Sequence, residues 1–127
     1  DQEGVVKTQT SIYKGRRMSV AHCYIEPAMK RSRNLQVVTN AHTLRVLLDG
    51  KKCIGVEYEK DGRVVQARAK ETILSAGGVA SPQILELSGI GRPDILKAHG
   101  IEVRHELPAV GENFRDHINA RIIWRLK

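Results

Sequence analysis

The stretch SAGGVASPQILELSGIG, residues 75–91, decides how the chain folds. It follows an apolar run and predicts a strand end, a glycine turn and a helix in direct succession. Gly77 and Gly78 permit backbone angles and close approaches that a side chain would forbid. Ser81 followed by Pro82 predicts the helix start, with serine as the N-cap and proline as the first helical residue. The buried face of this helix is predicted to consist of Ile84, Leu85 and Leu87.

A glycine turn between a strand and a helix is a place where proteins bind anionic groups. The N–H groups of the first helical turn have no partners within the helix, so they are free to bind a ligand. Gly89 is predicted to end the helix. The same pattern also occurs in α/β turns that pack tightly and bind nothing. The residues of the stretch alone leave both interpretations open.

The residues before this stretch predict an antiparallel meander. Apolar and polar residues alternate in the first two runs, as they do in half-buried strands. Asp-Gly pairs at 49–50 and 61–62 separate the first three runs, and Asp-Gly is a strong hairpin signal. The predicted strands cover residues 44–48, 54–58, 64–69 and 71–75.

The residues after the stretch predict further short elements. Pro93 is expected to start a helix that Gly100 ends. Strands are predicted to begin at Ile101 and to run through 120–124. Helices and strands interleave along the whole chain, which predicts a mixed α/β or α+β fold. No apolar stretch approaches the roughly 20 residues that a membrane-spanning helix needs.

Composition argues against nucleic-acid binding and against a metal site. The formal charge is +7, from 21 Lys and Arg against 14 Asp and Glu. No nucleic-acid motif accompanies these charges, and one Phe and three Tyr leave few side chains for base stacking. The basic residues are therefore expected to form solvated surfaces. Cys23 and Cys53 are too few for a disulfide framework, and the five histidines lack metal-ligand spacing.

Several segments together resemble the glucose–methanol–choline (GMC) family of flavin oxidoreductases. GGVASPQIL followed by LSGIG is similar to the second signature of that family, with Gly78 where the family more often has alanine. Further similar segments occur in the family's order at residues 20–28, 34–39, 55–58 and 108–117. The resemblance implies a flavin-binding, Rossmann-like domain that contains an antiparallel meander. It also implies that residues 1–127 are the central fragment of this domain, without its N-terminal GxGxxG and its C-terminal catalytic segment.

The resemblance implies an FAD-dependent enzyme that oxidises an alcohol by hydride transfer to the flavin. The expected partners are a small-molecule alcohol and an electron acceptor, either oxygen or another. The pattern is most similar to choline-dehydrogenase-like members. Which alcohol is oxidised, the oligomeric state and the compartment all stay open. The isolated fragment is expected to be inactive, because the family's catalytic histidine lies outside it.

The resemblance also implies which residues line the cofactor. Thr43 stands where the family places a residue whose main chain contacts the adenine edge. The strand end and glycine turn are expected to approach the nucleotide, and a later segment is expected to lie near the flavin. The implied cofactor-binding residues are Thr43, Ser75, Ala76, Gly77, Gly78 and Asn113. No residue of the chain is predicted to be catalytic, since the adjacent Asp116 and His117 would point to opposite faces of a strand.

Two alternatives remain at the level of sequence. One is a self-standing basic binding module without redox function, and the other is a non-catalytic relative of the family. A GxGxxG upstream and a histidine-bearing motif downstream would favour the enzyme. A flavin absorption band in the full-length protein would favour it as well.

Overall fold

The structure, a computed structural model, describes residues 10–118. The chain divides into two compact units, Asp1–Thr39 and Asn40–Lys127. All of the predicted site residues belong to the second unit. The strand predicted at 120–124 lies outside the described residues. In the described part of the chain, no helix is both long enough and apolar enough to cross a bilayer.

The first unit contains a hairpin and a short helical segment. Strands β1 (Ile12–Tyr13) and β2 (Arg16–Arg17) pair antiparallel across a turn that contains Gly15. A π-helical turn over Ala21–Ile25 then continues directly into helix α1 (Glu26–Arg31).

The second unit begins with the predicted meander. Strands β3 (His42–Asp49), β4 (Lys52–Lys60) and β5 (Arg63–Arg68) pair antiparallel in the order β3-β4-β5. Asp61 and Gly62 connect β4 to β5 with φ angles of 51° and 70°. Two central residues with positive φ are what a type I′ hairpin turn requires, and Asp-Gly adopts them readily. The prediction of the meander is confirmed.

The strand predicted over 71–75 is wrong in the structure. Residues 71–75 follow the meander but form no ladder with any strand of the described chain. The side chain of Ile73 is 82% exposed. A β-strand is defined by hydrogen bonds to a neighbour, so an apolar run without a neighbour does not become one.

Helix α2 (Gly77–Leu87) starts earlier than predicted. Its N-cap is Ala76, so Pro82 lies inside the helix instead of at its first position. Ser81 is not the N-cap, but its Oγ accepts a hydrogen bond of 2.9 Å from the Ala76 N–H. Because Pro82 has no N–H, the carbonyl of Gly78 in the first turn lacks the hydrogen bond that residue 82 would otherwise donate.

The rest of the second unit packs around the C-terminal end of α2. Gly89 ends the helix with φ 83°, as predicted, and strand β6 (Ile90–Gly91) follows. Helix α3 (Pro93–Ala98) then begins at the predicted proline. The strand predicted from Ile101 is wrong, since strand β7 forms only at His105–Glu106, parallel to β6. The buried apolar residues of the unit are Val46, Ile84, Leu96 and Val110.

Candidate functional site

A cavity of about 520 Å³ opens between the meander and the segment that leads into α2. Three predicted cofactor residues line it: Thr43 from β3, and Ser75 and Ala76 from the approach to α2. The other lining residues are Gly55, Val56, Ala67, Ala69, Glu71, Thr72, Ile73, Leu74 and Ile84. Residues far apart in the sequence therefore meet at one cavity, as expected if they share a ligand.

Small residues make the meander side of the cavity. Gly55, Ala67 and Ala69 present almost no side-chain volume there. Gly55 has φ 146°, and a Cβ added to it would lie 2.1 Å from the Ala67 carbonyl oxygen. No other residue fits this position, because a side chain would collide with the backbone of the neighbouring strand. The sequence signal for Gly55 was an isolated glycine inside a strand pattern.

One polar atom at the cavity wall lacks a partner. Thr72 Oγ1 is shielded from solvent and makes no hydrogen bond within residues 10–118. A buried hydroxyl without a hydrogen bond costs about 1–3 kcal/mol, so native structures usually supply a partner. Sequence analysis missed Thr72. Its signal was a threonine directly before the apolar pair Ile73 and Leu74.

The remaining predicted residues do not line this cavity. Gly77 begins α2 with φ 94°, a positive value that glycine adopts more readily than other residues, as predicted for this position. Gly78 lies in a separate hollow of about 280 Å³ together with Phe114. A Cβ added to Gly78 would lie 3.5 Å from the Phe114 ring. The structure thus places Gly78 and the loop around Asn113 together, but apart from Thr43.

Asn113 has an unusual backbone conformation. Its φ is 56°, a left-handed value that asparagine tolerates better than most residues. It stands between Glu112 and Phe114, which both line the hollow beside Gly78. Glu112 accepts a hydrogen bond of 3.1 Å from Arg92 Nη1, which ties the loop to the start of α3. The loop is therefore fixed in place beside the N-terminal half of α2.

Asp116 and His117 do not form a catalytic pair in this structure. The Asp116 carboxylate accepts a hydrogen bond of 2.7 Å from the backbone N–H of His117. This bond runs to the main chain and leaves the imidazole without a carboxylate that orients it. A general base normally needs such an orienting group within hydrogen-bond reach.

The strongest electrostatic feature of the second unit is a cross-strand cluster in the meander. Glu57 stands opposite Arg45 on one side and opposite Gln66 on the other. Its carboxylate accepts 2.8 Å and 2.9 Å hydrogen bonds from Arg45 Nε and Gln66 Nε2. These bonds hold the pKa of Glu57 below its usual value, because they favour the ionised form. Arg45 and Gln66 also border a hollow of about 440 Å³, whereas Glu57 does not, and the bonds of the cluster join all three strands of the sheet.

Comparisons with known proteins show which family this chain is similar to. The sequence model of the family described as GMC oxidoreductase matches residues 1–119. The oxygen-dependent choline dehydrogenase of Staphylococcus saprophyticus is 46% identical over 121 residues, which are 95% of this chain and 21% of that protein. The enzyme of the same name from Staphylococcus aureus strain MSSA476 is 45% identical over 126 residues, 99% of this chain and 22% of that protein. The chain spans about a fifth of the length of these relatives.

Solved structures show the same similarity. Pyridoxine 4-oxidase from Mesorbium loti is 30% identical with a TM-score of 0.71, and the match covers 76% of this chain and 19% of that one. An FAD-dependent oxidoreductase from Chaetomium thermophilum is 31% identical with a TM-score of 0.67, over 72% of this chain and 16% of that one. These likenesses confirm the mixed α/β fold and argue against an unrelated basic binding module. The chain therefore belongs to the GMC oxidoreductase family.

Proposed function

We propose that this chain is the central segment of a longer FAD-dependent oxidoreductase that oxidises a small-molecule alcohol. Its family and its relatives support this function, and the cavity between the meander and α2 supports the cofactor. The observation that carries the proposal is that Thr43, Ser75 and Ala76, all implied to line FAD, meet at that one cavity. The proposed segment ends before the residues that perform the reaction.

The cavity fits the nucleotide half of FAD in three respects. Gly55, Ala67 and Ala69 form a part of its wall with little side-chain volume, which allows a flat base to approach the backbone closely. Thr72 lines the cavity, and its buried hydroxyl has no hydrogen-bond partner within residues 10–118. Thr43 on β3 and Ser75 before α2 offer main-chain and hydroxyl groups from the two sides of the cavity. We propose that these residues hold the adenosine, and that Ala76 and Gly77 lie near the charged groups that follow it.

The chemistry of the reaction would come from the cofactor. FAD, when bound, supplies the two-electron oxidant that takes a hydride from the carbon bearing the hydroxyl group. This chain contributes position: the meander and the α2 segment hold one end of the cofactor. No residue between 10 and 118 is assigned as a base. The isolated chain is accordingly expected to show no turnover.

The names of the relatives suggest which alcohol to test first. Oxygen-dependent choline dehydrogenases are about 45% identical to this chain, whereas pyridoxine 4-oxidase is 30% identical. We therefore propose choline as the first candidate substrate and oxygen as the first candidate acceptor. Pyridoxine is the informative comparison, because it is an alcohol that carries an aromatic ring, which choline lacks.

The test uses the full-length protein that carries this segment. Purified protein should be yellow, with a flavin absorption band that disappears on anaerobic addition of choline. Readmitting oxygen should restore the band if oxygen is the acceptor, and an added dye should restore it otherwise. A protein that stays free of flavin after incubation with FAD contradicts the cofactor proposal. A flavoprotein that neither choline nor any other alcohol bleaches contradicts the reaction instead.

A further inference from the structure

Ser88 lies at the C-terminal end of α2 and is almost completely buried, with 5% of its surface exposed. Its hydroxyl makes two hydrogen bonds. It donates to the Ile84 carbonyl oxygen at 2.5 Å and accepts from the Val46 N–H of strand β3 at 2.9 Å. Because the single hydrogen is given to Ile84, the orientation of the hydroxyl is fixed and its lone pair faces β3.

The bond to Val46 joins the two sides of the candidate cofactor cavity. Val46 lies three residues after Thr43 on β3, and Ile84 itself lines the cavity. In residues 40–118, no other hydrogen bond connects the segment from Gly77 to Gly89 with the meander. The remaining contact between them is apolar packing, which is not directional.

The Val46 N–H has no alternative partner in the sheet. Val46 stands opposite Val56 of β4, and alternate N–H groups of an antiparallel strand point to opposite sides. The N–H groups of Arg45 and Leu47 therefore point toward β4, while that of Val46 points toward α2. Losing the Ser88 hydroxyl would leave a buried N–H without a partner, and the strand would be free to shift away from the helix.

We propose that Ser88 is a positioning residue for cofactor binding, which fixes the separation between β3 and α2 and thereby the width of the nucleotide cavity. This rests on the proposed function, because it assumes that the cavity holds FAD. Ser88 does not line the cavity itself. Ser88 binds Val46 and Ile84 by hydrogen bonds. The position of Val46 in turn sets that of Thr43 on the same strand, and Ile84 forms part of the α2 side of the cavity.

The test compares Ser88→Ala with a matched core variant in the full-length flavoprotein. Leu96→Val removes volume from a side chain that is 1% exposed and lies in α3, away from the cavity. Both variants are expected to lower stability. Only Ser88→Ala is expected to raise the dissociation constant of FAD, by about tenfold, when both are measured well below their unfolding temperatures. ADP, which probes the nucleotide half alone, should lose affinity by a similar factor.

Hydrogen exchange provides a second measurement, which starts from the wild-type protein and then compares the variant with it. In the wild-type protein the Val46 amide should exchange slowly, and more slowly still with FAD bound. In Ser88→Ala it should exchange faster, while the amides of Arg45 and Leu47 keep their protection.

Two results would overturn the proposal. One is a Ser88→Ala protein that binds FAD and ADP as tightly as wild type, or no more weakly than Leu96→Val. The other is a wild-type Val46 amide that exchanges without protection in the flavin-bound protein. A wild-type protein that binds no FAD at all would instead refute the proposed function.

Discussion

The strands of the meander pair with one another, whereas the segment that follows the meander has no pairing partner in the described chain. In the meander, β3, β4 and β5 pair with one another, and Glu57 binds a residue on each neighbouring strand. In the following segment, residues 71–75 pair with no strand of the described chain, and Ile73 is 82% exposed. Val79 and Phe114 are also exposed, at 70% and 69%.

The difference shows which part of the fold is local. A meander needs only strands that are close in sequence, joined by tight turns, so its own residues form the ladders between its strands. A strand that leads into a helix commonly pairs in parallel with a strand beyond that helix, because parallel strands need a crossover connection. Because the relatives are about four and a half times as long as this chain, we propose that the rest of a longer protein covers Ile73 and Val79.

The largest expected effect comes from breaking the meander at Gly55. In Gly55→Ala the new Cβ would lie 2.1 Å from the Ala67 carbonyl oxygen, at a φ of 146°. Strain and overpacking together should lower the free energy of unfolding of the full-length protein by about 4 kcal/mol. Urea unfolding measures this loss, and reduced soluble yield would accompany it.

Gly50→Ala is the matched control for this variant. Gly50 also has a positive φ, 56°, but an added Cβ meets nothing within 4 Å. It should cost about 1–2 kcal/mol from backbone strain alone. Equal losses in the two variants would mean that β4 and β5 are not packed as closely as described.

A second change tests whether Ile73 is covered in the full-length protein. Ile73→Ala should lower the free energy of unfolding by about 2–4 kcal/mol, because the side chain would then be buried against the rest of the polypeptide. Val64→Ala on β5, where the valine is 61% exposed, is the control and should cost less than about 1 kcal/mol. Equally small losses would show that segment 71–75 stays uncovered.

The same contrast explains what the sequence could predict. The meander was predictable because alternation and the Asp-Gly turns are local signals, and the structure confirms both. The strand over 71–75 was not, since the hydrogen bonds that would make it a strand have no partner in the described chain. The start of α2 was misplaced at Ser81 and Pro82, because serine and proline near a helix start resemble a cap even when they lie inside the first turns.

From the sequence, the candidate site could be proposed only through resemblance. Nothing in the pattern around Thr43 indicates a ligand, yet the structure places it in one cavity with Ser75 and Ala76. Gly55, Thr72 and Ser88 were not predicted as site residues, since close approach, an unpartnered hydroxyl and a tertiary hydrogen bond are visible only in three dimensions.

A smaller effect is expected at Thr72. Thr72→Val removes the hydroxyl but keeps the shape of the side chain. If a polar group of FAD is the missing partner, the dissociation constant of FAD should rise about tenfold, while the apoprotein stays as stable or gains stability. Thr43→Val is the control, because its proposed contact is made by the main chain and should survive. If Thr72→Val lowers the stability of the apoprotein but leaves the FAD affinity unchanged, the partner of the Thr72 hydroxyl is a protein group and not FAD.

The smallest expected effect is the pH dependence of the meander. The pKa of Glu57 lies below its usual value of 4.5 because Arg45 and Gln66 bind the ionised carboxylate. A lowered pKa in the folded state stabilises the fold at pH values above the unfolded pKa, and this contribution disappears as the pH falls through the folded value. Glu57→Gln should therefore lower the thermal midpoint at pH 7, and the gap to wild type should close below pH 4.5. The exposed Glu59 on the same strand is the control, and Glu59→Gln should follow wild type throughout. A gap that persists unchanged into acid would show that Glu57 stabilises the meander by packing and not through its charge.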